Sequence, residues 1–231
     1  MAARTVYTVL EETARIQGEA PALHQPTGKG SYQTYSWLEY RRAAEEIACG
    51  LRQIGIRKGD TVAKWAYDIA RKRTDADFAL VDLAAFELPL LDEPMPAMFG
   101  TYTHPHTKAW SAAIASFDGY LFVTPEYNHG PSGALKNAID FLYAEWADKA
   151  AGFIGYGYTL GARAIENLRL VMASLQVATV RPQVGLSLTT DFERTGVFKP
   201  TDKQEQNLNT VVDHVVAWSG ALKTLRTKEG R

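Results

Sequence analysis

The sequence predicts an α/β fold in which a parallel sheet carries helices on both faces. Residues 120–123 (YLFV) form a short apolar run of aromatic and β-branched side chains, which is typical of a buried strand. The ten residues that follow, 124–133, hold two prolines and two glycines and therefore predict a loop. From Ala134 onward, apolar residues recur at steps of three and four, which indicates a helix lying on a sheet. Strand, loop and helix in this order are the unit of α/β sheets.

The first quarter of the chain is predicted to be a mostly helical extension. Residues 4–18 have the pattern of a helix that stops at a glycine. Residues 21–35 place a proline and glycines between two short β-prone stretches, which favours a pair of strands joined by a loose turn. Ser36 and Glu39 form a capping box that opens a second helix, and Gly55 ends that helix.

Strands and helices alternate in the rest of the chain. The apolar periodicity predicts helices at 62–73, 104–117, 134–146, 163–176 and 208–225. Short apolar runs predict strands at 78–83, 120–123, 151–156 and 179–186. Thr103 is expected to cap the helix at 104–117, and residues 89–96 are expected to form an irregular loop.

The charge balance and the cysteine content argue against several classes of function. The 231-residue chain has 25 basic and 26 acidic residues, a formal net charge of −1, which does not favour nucleic acid or an anionic membrane surface as a partner. Cys49 is the only cysteine, so neither an intrachain disulfide nor a cysteine-based zinc site is expected. No apolar run approaches the ~18 residues of a membrane span, and no secretory signal is evident, so we expect a cytoplasmic protein.

The loop after the strand at 120–123 carries a long motif. The stretch VTPEYNHGPSGALKNAIDFL, residues 123–142, closely resembles the NADPH-dependent FMN reductase family, whose fold is flavodoxin-like. The resemblance extends over about residues 62–219. It implies that this loop, at the carboxyl end of a strand, cradles the isoalloxazine ring largely through backbone groups. The residues so implied are Pro125, Glu126, Tyr127, Asn128, His129 and Gly130.

The resemblance also implies an activity. FMN would take a hydride from NADPH or NADH and pass electrons to a flavin or a quinone-like acceptor. The flavin carries this chemistry, so no side chain is expected to act as a catalytic acid or base. Members of the family commonly assemble, which implies a homodimer or homotetramer. From its spacing alone, the loop at 125–130 also fits an ordinary strand-to-helix turn.

A second glycine-containing loop follows the predicted strand at 151–156. The order Gly155-x-Gly157-x-x-x-Gly161 is similar to a dinucleotide fingerprint, but its spacing differs by one and no ribose-binding acid follows at the usual distance. The family resemblance implies instead that Gly157 and Gly161 flank the isoalloxazine from its other side, where glycines permit a close approach of the backbone.

The beginning of the chain resembles a different family. Residues 5–63 look like the start of an AMP-forming acyl-CoA ligase, but the Ser/Thr/Gly-rich phosphate loop of that family has no match here. The chain therefore has the pattern of a fusion. We expect a ligase-like extension at 1–59, a flavodoxin-like reductase domain at 60–225 and a tail at 226–231.

The fusion leaves the reductase domain without two parts that its family normally has. The first strand is internal in a flavodoxin-like sheet, and the loop after it holds the FMN phosphate at a helix N-terminus. Neither has a match here, so the first strand is expected to be missing or replaced by residues 22–25 or 32–35. Lys58 and Thr61 could form a substitute phosphate site, although Asp60 between them would repel phosphate.

Two other functions stay open on the sequence alone. A non-catalytic domain could keep the flavodoxin-like shape and have lost FMN binding with its phosphate loop. An acyl-CoA or adenylate-related function of the N-terminal part is the other, and the absent ligase loop argues against it. His104 and His106 in THPHT could bind a metal, but no third ligand is evident, and solvated or interface histidines are the favoured interpretation.

Overall fold

The computed structural model describes residues 13–28, 31–38, 57–193 and 197–228 of the chain. The chain divides into two compact units, Met1–Arg57 and Lys58–Arg231. None of the helices in these described ranges is both long and apolar enough to cross a membrane.

The first unit contains the predicted strand pair. Strands β1 (Pro21–Gly28) and β2 (Ser31–Ser36) pair antiparallel, as the turn residues between them indicate. Upstream of them, residues 13–17 are helical, and the start of that predicted helix lies outside the described residues, as does most of the helix predicted after Ser36.

The expectation that residues 22–25 or 32–35 replace the first strand of the large sheet is wrong. β1 and β2 form a two-stranded sheet of their own, and the four-stranded sheet contains neither. A hairpin closed by a short connection loses little chain entropy. Pairing with strands much later in the sequence would close a long loop and would lose more. Local pairing is therefore favoured.

The second unit is built on a four-stranded parallel sheet, which confirms the predicted α/β class. Its strands are β3 (Gly119–Pro125), β4 (Ala150–Gly157), β5 (Ala178–Thr179) and β6 (Val184–Ser187). β4 is central: it pairs with β3 on one side and with β5 and β6 on the other. The helices are α1 (Arg57–Ala70), α2 (Pro105–Ala115), α3 (Gly133–Asp140), α4 (Ala162–Ser174) and α5 (Asp202–Lys228).

Each face of the sheet has its own apolar core. Every residue of β4 is buried, as expected of a central parallel strand covered on both sides. Helices α1 and α5 cover one face, with Val62 and Val211 fully buried. Helices α2, α3 and α4 cover the other face, with Ile139 and Leu168 fully buried. The alternating burial of β3 places Phe122 in this second core.

The strand predicted at 78–83 is wrong. This segment has no strand structure, and a 3₁₀ helix covers Leu83–Phe86. Phe78 packs against the core beneath α1 and α5, whereas Val81 packs against the opposite core, so the chain passes between the faces here. Among the described strands, β3 pairs only with β4. An apolar run becomes a strand only when its backbone pairs with a partner, and this segment pairs neither with the free edge of β3 nor with any other described strand.

Three smaller predictions change. His104, not Thr103, is the N-cap of α2, because Pro105 is the first helical residue and a proline disfavours the helical conformation in the residue before it. The helix predicted at 134–146 ends at Asp140, and a separate 3₁₀ turn covers Ala144–Trp146. The strand predicted at 179–186 is divided into β5 and β6, and Pro182 between them cannot donate a backbone hydrogen bond.

A buried lysine joins the end of α2 to the start of β4. The Nζ atom of Lys149 donates to the carbonyl oxygens of Ile114 (2.9 Å) and Ala115 (3.2 Å) and to the Tyr120 hydroxyl (3.0 Å). Only 4% of Lys149 is exposed. A cation is favoured at the carbonyl end of a helix, which is where this ammonium lies. Burial nevertheless lowers the pKa of Lys149 to about 8, and the charge of Arg226 acts in the same direction.

This environment predicts a pH-dependent stability. Between pH 8 and pH 10 the unfolded chain still holds the lysine proton, whereas the folded protein has released it, so the free energy of unfolding rises with pH. We expect a rise of about 2 kcal/mol across this window that is absent in Lys149→Met. Urea unfolding at both pH values measures it. Lys108→Met, at an exposed lysine of α2, should keep the wild-type rise, and a rise retained in Lys149→Met would contradict the prediction.

Candidate functional site

Two loops meet at the carboxyl ends of β3 and β4. One follows β3 and includes Pro125 to Gly130, and the other follows β4 and joins it to α4. Open α/β sheets bind ligands at this edge, because the loops there are free of the sheet's hydrogen bonding. Glu126 donates its amide to the Tyr156 carbonyl (2.9 Å), which continues the strand pairing into the loops.

The loop after β3 contains a tight turn. Tyr127 and Gly130 exchange two backbone hydrogen bonds of 2.9 Å. Between them Asn128 and His129 have φ values of 48° and 69°, which is the geometry of a type I′ turn. Asparagine adopts this left-handed region more readily than most residues, but histidine does so at some cost. The turn therefore needs support from outside itself.

Glu126 provides much of that support. Its Oε1 atom accepts a hydrogen bond from the Thr159 hydroxyl (2.7 Å), and its Oε2 atom accepts one from the Arg163 amide (3.1 Å). The Arg163 guanidinium lies 3.2 Å from Oε1. Burial acts to raise the pKa of Glu126, but these hydrogen bonds outweigh it and hold the pKa below its usual value. The carboxylate is therefore ionised and joins one loop to the other.

Helix α4 contributes a further contact. The Asn167 side-chain amide donates to the His129 carbonyl (2.8 Å) and to the Arg163 carbonyl (2.9 Å). The first two turns of α4 thus hold both the turn and the acid that precedes it. Sequence analysis missed Thr159, Arg163 and Asn167. An acidic residue that can reach a helix N-terminus is the kind of signal that points to such a contact.

The predicted glycines have a structural role within the protein. Gly161 has φ 68°, and a Cβ atom built on it would lie 2.6 Å from the Gly155 Cα and the Tyr156 amide nitrogen. A Cβ atom on Gly157 would lie 3.2 Å from the Glu126 Cβ. At both positions the chain itself occupies the space that a side chain would need. The loop after β4 therefore lies close to the strand and to Glu126.

The surface of the two loops is partly apolar and partly polar. Tyr127 is 53% exposed and Tyr158 is 82% exposed, so two aromatic side chains stand in solvent here. Within the described ranges, the backbone amides of Asn128 and His129 and the Asn128 side chain have no hydrogen-bond partner. A flat heteroaromatic ring could find both stacking surface and hydrogen-bond donors at such an edge.

The start of α1 approaches the same edge. Burial raises the pKa of Tyr156, and the charges of Tyr127 and Asp60 act in the same direction, which places these groups within electrostatic reach of each other. Thr61 is exposed in the first turns of α1, next to Asp60. The side chain of Lys58 lies outside what the structure describes. A helix N-terminus favours an anion, and Asp60 opposes one.

The segment predicted to be an irregular loop, residues 89–96, has no regular secondary structure and is fixed to α2 and α3. The Asn137 side chain accepts from the Leu91 amide (3.0 Å) and donates to the Pro89 carbonyl (2.7 Å). The Glu93 carboxylate accepts from the amides at the start of α2. Apolar side chains nevertheless remain in solvent along residues 90–99, and Leu90 is the most exposed at 85%.

The histidines of the THPHT motif lie beside this segment. The rings of His104 and His106 stack with centroids 5.2 Å apart. The Nε2 atom of His106 lies 3.0 Å from Asp92 Oδ1, and that of His104 lies 3.2 Å from the Asp92 carbonyl. In the described part of the chain, no group of three or more potential ligands has the arrangement of a metal site.

Sequence comparisons show that this chain is similar to known reductases. The profile of the NADPH-dependent FMN reductase family matches residues 47–191. An NAD(P)H-dependent FMN reductase of Nectria sp. is 43% identical over 145 residues, which cover 58% of this chain and 72% of the relative. One from Schizosaccharomyces pombe is 38% identical over 142 residues, 61% and 71% of the two chains. A 2-hydroxy-1,4-benzoquinone reductase of Burkholderia sp. is 31% identical over 155 residues, 63% and 80% of the two chains.

Solved structures agree on the fold. FerB, a flavoenzyme NAD(P)H:(acceptor) oxidoreductase of Paracoccus denitrificans, superposes with a TM-score of 0.56 at 22% identity, over 71% of this chain and 90% of FerB. The NADH:FMN oxidoreductase EMOB gives 0.52 at 23% identity, over 68% of this chain and 80% of EMOB. The predicted flavodoxin-like fold is thereby confirmed. The profile match begins at residue 47, earlier than the expected 62, and it includes both loops described above.

Proposed function

Because this chain belongs to the NADPH-dependent FMN reductase family, we propose that it is an NAD(P)H-dependent flavin oxidoreductase acting through FMN on a flavin or quinone-like acceptor. FMN and NADPH or NADH are the cofactors of such an enzyme. Three relatives named as a FMN or benzoquinone reductase, each at least 31% identical, support this activity and this class of acceptor.

The observation that carries the proposal is the supported turn at the carboxyl end of β3. Its exposed backbone amides and the Asn128 side chain fit the polar edge of an isoalloxazine, and Tyr127 and Tyr158 fit its apolar faces. When bound, FMN would supply the hydride-accepting ring position and the route to the acceptor. The chain itself would bind and orient the rings, and Pro125 and Gly130 would fix the limits of the turn.

Two further groups of residues are proposed to contact FMN. Gly157 and Gly161 would form the second wall of the site, since they bring the loop after β4 against Glu126. Lys58 and Thr61 would lie near the phosphate end of FMN, because they belong to the first turns of α1. Asp60 in the same turn makes this phosphate contact weak.

The remaining parts of the proposal concern partners and origin. Exposed apolar side chains along residues 90–99 favour a homodimer or homotetramer. The near-neutral charge gives no support to a nucleic-acid partner or an anionic membrane surface, and a cytoplasmic location stays a prediction. Residues 1–59 would be an extension of ligase ancestry, residues 60–225 the reductase domain and residues 226–231 a tail.

Flavin titration tests the proposal. We expect the purified protein to bind FMN, and to bind riboflavin with a Kd within about threefold of that for FMN. Each charge-assisted hydrogen bond to the phosphate would favour FMN by about tenfold or more, and the usual phosphate loop that makes such bonds has no match in this chain. Visible absorbance measures both affinities, and NADPH oxidation with a quinone then measures turnover. A preference for FMN of a hundredfold would contradict the weak phosphate site. A protein that binds neither flavin would contradict the function and favour the non-catalytic alternative.

A further inference from the structure

We propose that Glu126 is a positioning residue that holds the two loops of the flavin site together and balances the charge of Arg163 at their edge. The inference rests on the proposed FMN-dependent function. It goes further because it assigns this side chain a role that acts through Thr159 and Arg163, not through direct contact with the cofactor. Only 8% of the Glu126 side chain is exposed, which leaves little of it to meet a ligand.

The hydrogen-bond donors to the Glu126 carboxylate belong to the other loop of the site. All three come from the segment between β4 and the first turn of α4, which is 33 to 37 residues away in the chain. Gly157 has no side chain, and this absence lets Glu126 lie against the loop after β4. The carboxylate is thus the main polar link between the two walls of the site.

The backbone of the turn depends on contacts from outside it. Asn128 and His129 both have positive φ values, which are unfavourable for residues other than glycine and persist only where neighbouring contacts impose them. Apart from the two backbone bonds between Tyr127 and Gly130, the described polar contacts that support the turn are few: the Glu126 carboxylate, the Glu126 amide and the Asn167 bond to the His129 carbonyl. Loss of the carboxylate should therefore loosen the turn.

Glu126 also sets the charge at the edge of the site. The Arg163 guanidinium is 45% exposed and balances the buried Glu126 charge. Replacing Glu126 by glutamine would leave that positive charge unbalanced at the edge of the site. Reduction of a bound flavin adds negative charge, so an unbalanced positive charge should favour the reduced form.

The decisive measurement needs no flavin. Amide hydrogen exchange of Tyr127 and Gly130 in the full chain reports directly on the turn, because each of these amides donates to the carbonyl oxygen of the other residue. We expect exchange about tenfold faster in Glu126→Gln than in the wild type. Glu166→Gln is the matched control, since it removes the same charge from an exposed position on α4 and should leave exchange unchanged.

The Thr159→Val variant separates the effect of the hydrogen bonds to Glu126 from the effect of its charge. It removes one donor to Glu126 and leaves the carboxylate, so exchange at Tyr127 and Gly130 should still accelerate. In the FMN-loaded protein, Glu126→Gln should raise the flavin midpoint potential by about 30 mV, which is a tenfold change in relative affinity for a two-electron couple. Thr159→Val should leave that potential unchanged.

The outcomes separate the two proposals. Wild-type exchange in both Glu126→Gln and Thr159→Val would overturn the positioning role, whether or not FMN binds. Fast exchange together with no flavin binding by the wild type would support the link between the loops and contradict the proposed function. If Glu126→Gln unfolds, exchange will also rise at Phe153 in β4, and Thr159→Val then decides the question.

Discussion

Replacing Gly161 with alanine is expected to lower the free energy of unfolding by about 2–5 kcal/mol. The left-handed φ of 68° costs a residue with a side chain about 1–2 kcal/mol. The new Cβ atom would also lie 2.6 Å from the Gly155 Cα and the Tyr156 nitrogen. These are backbone atoms of β4 and cannot rotate away, so the overpacking adds about 1–3 kcal/mol. Urea unfolding measures the loss.

Gly100 offers a matched control for this substitution. It has φ 64°, close to that of Gly161, but nothing lies within 4 Å of the position of its Cβ atom. Gly100→Ala should therefore show the backbone cost alone, about 1–2 kcal/mol. Equal losses in the two variants would mean that the close approach of the loop to β4 contributes nothing to stability.

Replacing Trp146 with alanine is expected to cost about 4 kcal/mol or more. Trp146 is fully buried at the centre of an aromatic cluster, with its ring centroid 5.0 Å from that of Tyr120 and 6.0 Å from that of Phe122. Its Nε1 atom donates to the Ile139 carbonyl (3.1 Å), which would lose this partner. The cavity and the lost hydrogen bond both destabilise the fold, although the Leu142 amide still donates to this carbonyl (3.3 Å).

Trp218 is the corresponding control, because it is 47% exposed on α5. Trp218→Ala should cost less than about 1 kcal/mol, and chemical denaturation at one pH compares the two variants directly. Trp146→Phe should lie between them, since it keeps most of the ring. If Trp218→Ala lowered the free energy of unfolding as much as Trp146→Ala, the stabilisation by tryptophan would not depend on burial in the aromatic cluster.

The sequence predicted those parts of the fold whose cause is local. The strands at 120–123 and 151–156 are short apolar runs next to strong loop signals, and the structure confirms both within a few residues. Parallel pairing follows from the helices between the strands. The segment at 78–83 has the same kind of pattern, but a strand also requires a neighbour, and a pattern within one segment carries no information about that neighbour.

The candidate site was predictable to a similar degree. A family motif and its loop signals located the turn at 125–130, and a glycine pattern located the loop after β4. The contact that joins them, from Glu126 to Thr159 and Arg163, was not predicted, because it depends on how two distant loops are brought together. The change of the N-cap from Thr103 to His104 has a different and local cause, since Pro105 opens the helix and favours an extended backbone in the residue before it.

The contact between Gly155 and Gly161 also constrains how this sequence can evolve. A Cβ atom at either position would meet main-chain atoms of the other residue, so no substitution of a nearby side chain can make room for it. Substitution of the glycine is therefore disfavoured at both positions. A descendant that loses one of these glycines must reroute the loop after β4, and it would change the wall of the site together with the sequence.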